Sequence, residues 1–450
     1  MANGSRFSRE LALVRAELDR LENLERDLLR RLADTRAAAQ VQRRRIGDLI
    51  RRGQPPIHRL PIEILLWIID LATRGPRDSG VTHQVERKGV MASVSRHWRN
   101  TISSCPSFWT QIILTPATPA ALVQAHVTRS CSCLVSIQIH GWYCKSSQFR
   151  PLSRLLDIVL TCAHRWCTFT LDPCCPLEVC EFIYERMEHC SFDCLDSVDV
   201  NIRIPDKYSD SGHQSYYPWF LESKYLPNLK QMVLHTSTDG FLLPSGLTTL
   251  SITLPDYAWP SPPTSLILIS LSMSKLKTLS LFGNIPQWEF GTQRMTFPNL
   301  EKLILKTSRA QEFLEALVAP QLSYCGYHPY FHQRHSPHLV DRPKCTFTTV
   351  QVLAFTLCES SVEGQFNEAN AVCTAFPGVR HVELQAEDVF FVFSNDRGCW
   401  GADHWQWLER ITFIWLSDEI MKSPSKFARW IQYRHNKGLP MLHVVLNMTK

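Results

Sequence analysis

Cysteine and histidine are the residue types in this chain whose spacing could do chemistry, and that chemistry would be metal binding. The 16 cysteines include close pairs, but none has the repeated C-x-x-C spacing of a strong zinc site. The pairs are Cys131/Cys133, Cys162/Cys167, Cys174/Cys175 and Cys190/Cys194. His332 and His335 have the three-residue spacing of metal ligands on a helix, but prolines at positions 329, 337 and 343 disfavour a helix there. The sequence therefore predicts no metal site.

Catalytic motifs are also missing from the sequence. It has no glycine-rich phosphate loop, no H-E-x-x-H and no G-x-S-x-G. No spacing places a nucleophile beside a base. We therefore predict a non-catalytic protein that needs no cofactor.

The composition is that of an ordinary globular protein with two or three units. The chain has 450 residues, of which 44% are hydrophobic and 20% charged. No apolar run approaches the roughly 18 residues of a membrane helix, and the charged start has no signal-peptide core. We therefore expect an intracellular protein, cytoplasmic or nuclear, with reduced cysteines and no membrane partner. Most of the net charge of +6 lies in residues 1–53, which hold 13 arginines and 8 acids.

Residues 8–52 have the heptad pattern of a coiled-coil helix. Nine of twelve seam positions are apolar, and Glu25, Thr35 and Gln42 interrupt the seam. The apolar positions are Leu11, Val14, Leu18, Leu21, Leu28, Leu32, Ala39, Ile46 and Leu49. The pattern predicts pairing with a second copy as a homodimer, pairing with a partner, or folding back; a solvated single helix is the alternative. Nucleic acid is not an expected partner, because the densest basic run follows most of the seam, whereas in DNA-binding zippers it comes first.

Two further helix patterns follow a proline-containing linker at 53–56. The first opens with the segment Leu60-Pro61-x-Glu63-Ile64-Leu65 and continues through Ile68 and Leu71. A polar insertion then occupies residues 73–89. Beyond it, Val90, Val94, Trp98 and Ile102 recur every four residues and predict one second helix, which Pro106 ends before Trp109.

Residues 57–110 resemble an F-box in the LP-x-E-I-L opening, the V-x-R-x-W centre and the closing tryptophan. The resemblance implies a small all-α module that docks on the Skp-type adaptor of a cullin–RING ubiquitin ligase. The adaptor-binding residues it implies are Leu60, Pro61, Ile64, Leu65, Ile68, Val94 and Trp98, while Trp109 would join the module to the first repeat of the C-terminal region. The whole layout is similar to the F-box-like proteins of mushroom-forming fungi.

From residue 111 to 450 the chain repeats an apolar triplet, apolar-x-x-apolar-x-apolar, mostly about 29 residues apart. The clear copies are centred on Met232, Leu250, Leu279, Leu303, Leu353, Val382 and Ile411, and fainter ones on Ile137, Phe169, Val198, Cys325 and Leu442. The pattern resembles irregular leucine-rich repeats, in which each triplet is a short strand of one parallel sheet. An antiparallel β domain is the alternative.

The predicted fold class is therefore α+β multidomain, with a long coiled-coil helix, an all-α F-box and an α/β leucine-rich-repeat solenoid. Variable positions of the repeats would face solvent and contact a target protein. The candidates are His235, Phe282, Ile304, Lys306, His381, Arg410 and Ile414. The implied function is the substrate-recognition subunit of an SCF-type ubiquitin ligase. The alternative is a scaffold that dimerises through the long helix and binds proteins without a ligase.

Overall fold

A computed structural model divides the chain into two compact units, Met1–Ser104 and Cys105–Lys450. The predicted module border at residue 110 therefore lies inside the second unit, together with Trp109. The residues that the structure describes are 2–53, 57, 60–73, 82–143, 149–202, 225–236, 243–254, 274–283, 294–307, 310–328, 346–357, 362–385, 388–393, 401–414 and 424–447.

A long helix, α1 (Ala2–Gly53), opens the first unit, as the sequence predicts. It is rich in Leu, Ala, Arg and Glu, which are among the residues with the highest helix propensity, and it contains no proline. Ion pairs between residues three or four positions apart add to its stability. Arg20 Nη2 lies 2.8 Å from Glu17 Oε1, and Arg31 Nε lies 2.9 Å from Asp27 Oδ2. Linker residues 54–56 lie outside the described residues.

Three short helices complete the first unit: α2 (Ile62–Thr73), α3 (Thr82–Val94) and α4 (Arg96–Ser104). The prediction of one helix running from Val90 to Ile102 is wrong, because Ser95 separates α3 from α4. The Ser95 Oγ accepts a hydrogen bond of 3.2 Å from the backbone N–H of Trp98 and so caps the start of α4. The predicted insertion is helical from Thr82, and residues 74–81 lie outside the described part of the chain.

A 13-stranded parallel sheet forms the frame of the second unit, and its strands neighbour one another in chain order. Two short strands, β8 and β10, form a separate parallel pair. This topology excludes the antiparallel alternative for the described strands. The strands are β1 (Gln111–Leu114), β2 (Val135–Ile139), β3 (Trp166–Leu171), β4 (Ser197–Ile202), β5 (Gln231–Thr236), β6 (Thr249–Thr253), β7 (Thr278–Gly283), β8 (Met295–Thr296), β9 (Lys302–Thr307), β10 (Leu317–Val318), β11 (Tyr324–Tyr327), β12 (Val352–Phe355), β13 (His381–Gln385), β14 (Arg410–Ile414) and β15 (His443–Asn447).

Helices lie in the crossovers that parallel strands require. They alternate with the strands at the start of the unit. The helices are α5 (Ala120–Arg129), α6 (Phe149–Leu160), α7 (Leu177–Met187), α8 (Ala310–Ala316), α9 (Val362–Ala375), α10 (Val389–Val392) and α11 (Pro424–Asn436). The chain is thus an α+β protein with a long N-terminal helix and a large parallel sheet.

One apolar residue from every strand of the large sheet joins a continuous ladder of register partners. The ladder consists of Ile112, Ile137, Phe169, Val198, Met232, Leu250, Leu279, Leu303, Cys325, Leu353, Val382, Ile411 and Val444. All but Val444 are at most 1% exposed, and full burial of such a large apolar side chain contributes about 1.5–3 kcal/mol. Strand β1 was not predicted. The last strand is centred two residues later than the predicted triplet, because Val444, not Leu442, pairs with Ile411.

The turns that precede the strands are bonded to one another as well. The Asn228 side chain donates a hydrogen bond of 2.7 Å to the Asp193 carbonyl of the preceding turn, and Asn299 donates one of 2.6 Å to the Ser274 carbonyl. Gly378 occupies the equivalent position before β13. A Cβ there would lie 2.2 Å from the Thr348 carbonyl oxygen, so this turn approaches its neighbour too closely for a side chain.

Candidate docking surfaces

The helices of the first unit are held by a small apolar core. Leu65 and Ile69 of α2 are fully buried, and Trp98 and Ile102 of α4 are nearly so. The first turn of α2 closes with a hydrogen bond of 3.1 Å from the Leu65 N–H to the Pro61 carbonyl. These contacts fix which face of α2 points outward.

The outward faces of α2 and α3 carry rows of exposed apolar side chains. On α2, Ile64 is 43% exposed and Trp67 is 62% exposed, with Ile62 and Leu71 similarly open. On α3, Val90 and Val94 are 61% and 58% exposed. We call these six residues the apolar rows. Exposed apolar side chains grouped in this way make the two helices a candidate docking surface.

The seven predicted adaptor-binding residues divide into two groups. Pro61, Ile64 and Val94 are exposed, and Leu60 and Ile68 are partly buried. Leu65 and Trp98 are buried, so they stabilise the core of the unit. The sequence analysis did not assign Ile62, Trp67, Leu71 and Val90 to the surface. Helical spacing could have indicated their shared face, since Trp67 and Leu71 follow Ile64 by three and seven residues.

Opposite charges connect the two helices that carry the apolar rows. Burial lowers the pKa of Lys88 on α3, and the negative charge of Asp70 on α2 opposes that shift. A half-buried ammonium near a carboxylate favours one relative placement of α2 and α3. The apolar rows are therefore displayed on a defined framework.

On the large sheet, residues on either side of the ladder form a second candidate surface, which we call the open face. It has three rows, each running from strand to strand in register. The first row includes Gln231, Thr249, Thr278, Lys302, Tyr324, Val352, His381 and Arg410. The second includes Val233, Ser251, Ser280, Ile304, Gly326, Ala354, Glu383 and Thr412, of which Ser280, Gly326 and Ala354 are buried. The third includes His235, Thr253, Phe282, Lys306, Gln385 and Ile414.

All seven predicted target-binding residues lie on the open face and none is buried. Phe282 and Lys306 are register partners, and so are His381 and Arg410. His235 lies on β5, the fifth of the 13 strands, Ile414 lies on β14, the last but one, and Ile304 lies in the second row. The seven therefore span the face and do not form one cluster.

Local contacts hold several of these side chains. His235 Nε2 lies 3.3 Å from Asp199 Oδ1, and His381 Nε2 lies 2.8 Å from Thr412 Oγ1. Burial lowers the pKa of His381, and the Glu383 carboxylate partly opposes this shift. The two imidazoles are therefore ordered parts of the face.

Charge is unevenly distributed over the open face. Within the described part of the chain, Lys302, Lys306 and Arg410 have no carboxylate within 4.0 Å. The Lys302 ammonium lies 4.7 Å from the centre of the Tyr324 ring, a cation–π contact. Asp199 gives the strands near the start of the sheet an acidic residue. The region from β9 to β14 is thus the more basic part of the face.

The structure also locates the residue types that could bind metal. Among the described residues, no three His, Cys, Asp or Glu side chains are placed to share a metal ion. His332 and His335 lie outside those residues. Cys325 belongs to the apolar ladder, and burial raises the pKa of its thiol to about 12. This cysteine serves as a core residue.

Trp109 packs within the second unit. Its ring meets the His126 ring edge-on at 5.0 Å, and the Arg129 guanidinium lies 4.5 Å from its centre. The His126 Nδ1 lies 3.2 Å from the Trp109 carbonyl oxygen. These contacts attach Trp109 to α5.

Comparison of the chain with models of protein families and with curated proteins finds no match. In the described part of the chain, no helix combines the length and the apolar character that crossing a membrane requires.

Proposed function

We propose that this protein is the substrate-recognition subunit of an SCF-type cullin–RING ubiquitin ligase, with an F-box in its first unit and leucine-rich repeats in its second. The observation that carries the proposal is the set of apolar rows on α2 and α3, next to the Leu60-Pro61 segment that opens the F-box-like motif. Side chains as open as Trp67 and Ile64 gain free energy when a partner covers them.

The second unit supports the other half of the proposal. Its strands stack in chain order, and an apolar ladder that is buried in every strand but the last runs through them, which is the arrangement expected of stacked repeats. The open face offers an extended surface for a target protein. The chain would contribute proximity, holding the target beside the enzyme that carries ubiquitin, while catalysis occurs elsewhere in the complex.

Binding to a purified Skp-type adaptor tests the proposal. The full-length protein is expected to bind, whereas a Pro61→Ala/Ile64→Asp double variant and a Trp67→Asp variant are expected to lose at least a hundredfold in affinity, because each buries a charge in an apolar contact. Leu134→Asp is the matched control, since Leu134 is 50% exposed in the second unit. Failure of the unaltered protein to bind the adaptor would overturn the proposal.

A non-ligase scaffold is the second candidate, and the exposed seam of α1 favours it. A scaffold would dimerise and bind proteins through the open face without any adaptor. Adaptor binding therefore separates the two candidates, since only the ligase subunit requires the apolar rows.

A further inference from the structure

The apolar seam of α1 is open to solvent along its length. Its eight large residues are between 41% and 63% exposed. They are Leu11, Val14, Leu18, Leu21, Leu28, Leu32, Ile46 and Leu49. An isolated helix of this kind leaves in water an apolar stripe that only Glu25, Thr35 and Gln42 interrupt, so a partner helix stabilises it.

Between residues 10 and 52, the charges of α1 are divided between an acidic and a basic stretch, and Arg6 and Arg9 precede both. Residues 10–27 hold six acids and three arginines, which we call the acidic half. Residues 30–52 hold eight arginines and two aspartates, which we call the basic half. The helix is therefore complementary to a copy of itself that runs in the opposite direction.

We propose that α1 pairs with α1 of a second copy as an antiparallel coiled coil. A parallel pair is disfavoured by three sets of like charges. It would place Glu25 against Glu25 in the apolar seam, and would bring Glu17 near Glu22 and Arg31 near Arg36 at the flanks.

The antiparallel arrangement removes these conflicts in a register where Leu11 faces Leu49 of the second copy. Val14 then faces Ile46, Leu28 faces Leu32, and Leu21 faces Ala39. Two of the three polar seam positions, Glu25 and Thr35, face each other, so no charge meets a like charge in the seam.

At the flanks of this register, arginine faces arginine at Arg15–Arg43 and at Arg31–Arg31, but acids face arginines at more contacts. Glu17 lies near Arg45 of the second copy, and Glu22 lies near Arg36. Each contact occurs twice by symmetry. The Glu17 and Glu22 side chains already pair with Arg20 and Arg26 on their own helix, at 2.8 Å and 3.9 Å, yet are 55% and 53% exposed. Both carboxylates thus have room for a second cation.

Sedimentation of the full-length chain tests self-pairing. The expected species is a dimer of the 51.8 kDa chain. Glu17→Arg/Glu22→Arg and Arg36→Glu/Arg45→Glu are each expected to raise the dimer dissociation constant about tenfold, because four attractive flank contacts become repulsive together. An equimolar mixture of the two variants restores dimers. Asp19→Arg/Asp27→Arg is the matched control, since it makes the same charge change away from the seam.

A distance measurement tests the direction. A spin label on an unnatural amino acid at Ala12 avoids the native cysteines. The antiparallel pair places the two labels about 54 Å apart, because residue 12 of one copy lies beside residue 48 of the other and each residue rises about 1.5 Å. A distance under about 20 Å would show a parallel pair, and a monomer at micromolar concentration would exclude pairing; either result overturns the proposal. Adaptor binding is not required for any of these outcomes.

Discussion

Replacement of Gly378 by alanine is expected to destabilise the second unit, and the structure sets the size of the effect. The added Cβ would lie 2.2 Å from the Thr348 carbonyl oxygen, 3.0 Å from its carbon and 3.3 Å from the Val350 oxygen. All three are backbone atoms, so relief requires the two turns to separate by roughly 1 Å. Overpacking of this kind costs about 2–4 kcal/mol.

Gly326→Ala provides the matched control for Gly378→Ala. Gly326 is buried on β11, but its added Cβ would meet only side-chain atoms of Ile304 and Tyr324, at 3.5 Å and 3.6 Å. These are ordinary van der Waals contacts, and alanine lowers the entropy of the unfolded chain. The Gly326→Ala variant is therefore expected to be neutral or slightly more stable.

Hydrogen exchange measured by mass spectrometry distinguishes the two variants. A loss of 2–4 kcal/mol accelerates exchange of the β12 and β13 amides roughly 30-fold to 700-fold in Gly378→Ala. Exchange in Gly326→Ala should match that of the unaltered protein. Equal exchange in all three proteins would show that the turns at Gly378 and Thr348 do not approach as closely as the structure indicates.

Three further predictions concern other parts of the chain. Leu65→Ala is expected to cost about 2–5 kcal/mol of stability, seen as faster exchange in α4, whereas the neighbouring Ile64→Ala changes stability by less than about 0.5 kcal/mol. Gly47→Ala should stabilise α1 by about 0.5–1 kcal/mol and slow exchange there, because nothing lies within 4 Å of the added Cβ. Burial, with a smaller effect of Lys306, lowers the pKa of His328 to about 4. In the unfolded chain the same imidazole has a pKa near 6.5, so the unfolded chain binds a proton at a higher pH than the folded one. Denaturant titrations should therefore show stability falling as the pH drops from 6.5 toward 4, and a smaller fall in His328→Gln.

The strands were the most predictable part of the fold. An apolar triplet that recurs at intervals can bury itself only by stacking on the next copy, so triplets centred on residues such as Leu250 and Leu303 identify strands directly. Strand β1 was missed although Trp109, Ile112 and Leu114 have the triplet spacing, because Trp109 had been assigned to the preceding helical module. The final triplet was displaced because the segment ending at Asn447 offers two overlapping apolar patterns, and pairing with β14 selects one of them.

The apolar rows were harder to predict than the motif they adjoin. Helix α2 is apolar on nearly every face, so its pattern alone does not tell the buried Leu65 from the exposed Ile64. Only packing against α3 and α4 decides which side chains enter the core. The break at Ser95 was missed for a related reason. A four-residue apolar period continues across the break, but the serine can cap a new helix and leave the period intact.

Under the proposed ligase function, adaptor binding and dimerisation are compatible if α1 pairs in the antiparallel direction. In that register the two copies of Leu49 lie about 57 Å apart along the coiled coil, since each faces Leu11 of the other copy. The two F-box-like stretches would then begin from opposite ends of the dimer, so that one adaptor need not exclude the other. Such a dimer holds two open faces at once and binds a repetitive or oligomeric target more tightly than either face alone. A parallel pair would bring both stretches to the same end, where two adaptors compete for space. The direction of α1 pairing therefore decides whether dimerisation supports or hinders adaptor binding, and adaptor stoichiometry per dimer reports it: two for the antiparallel pair.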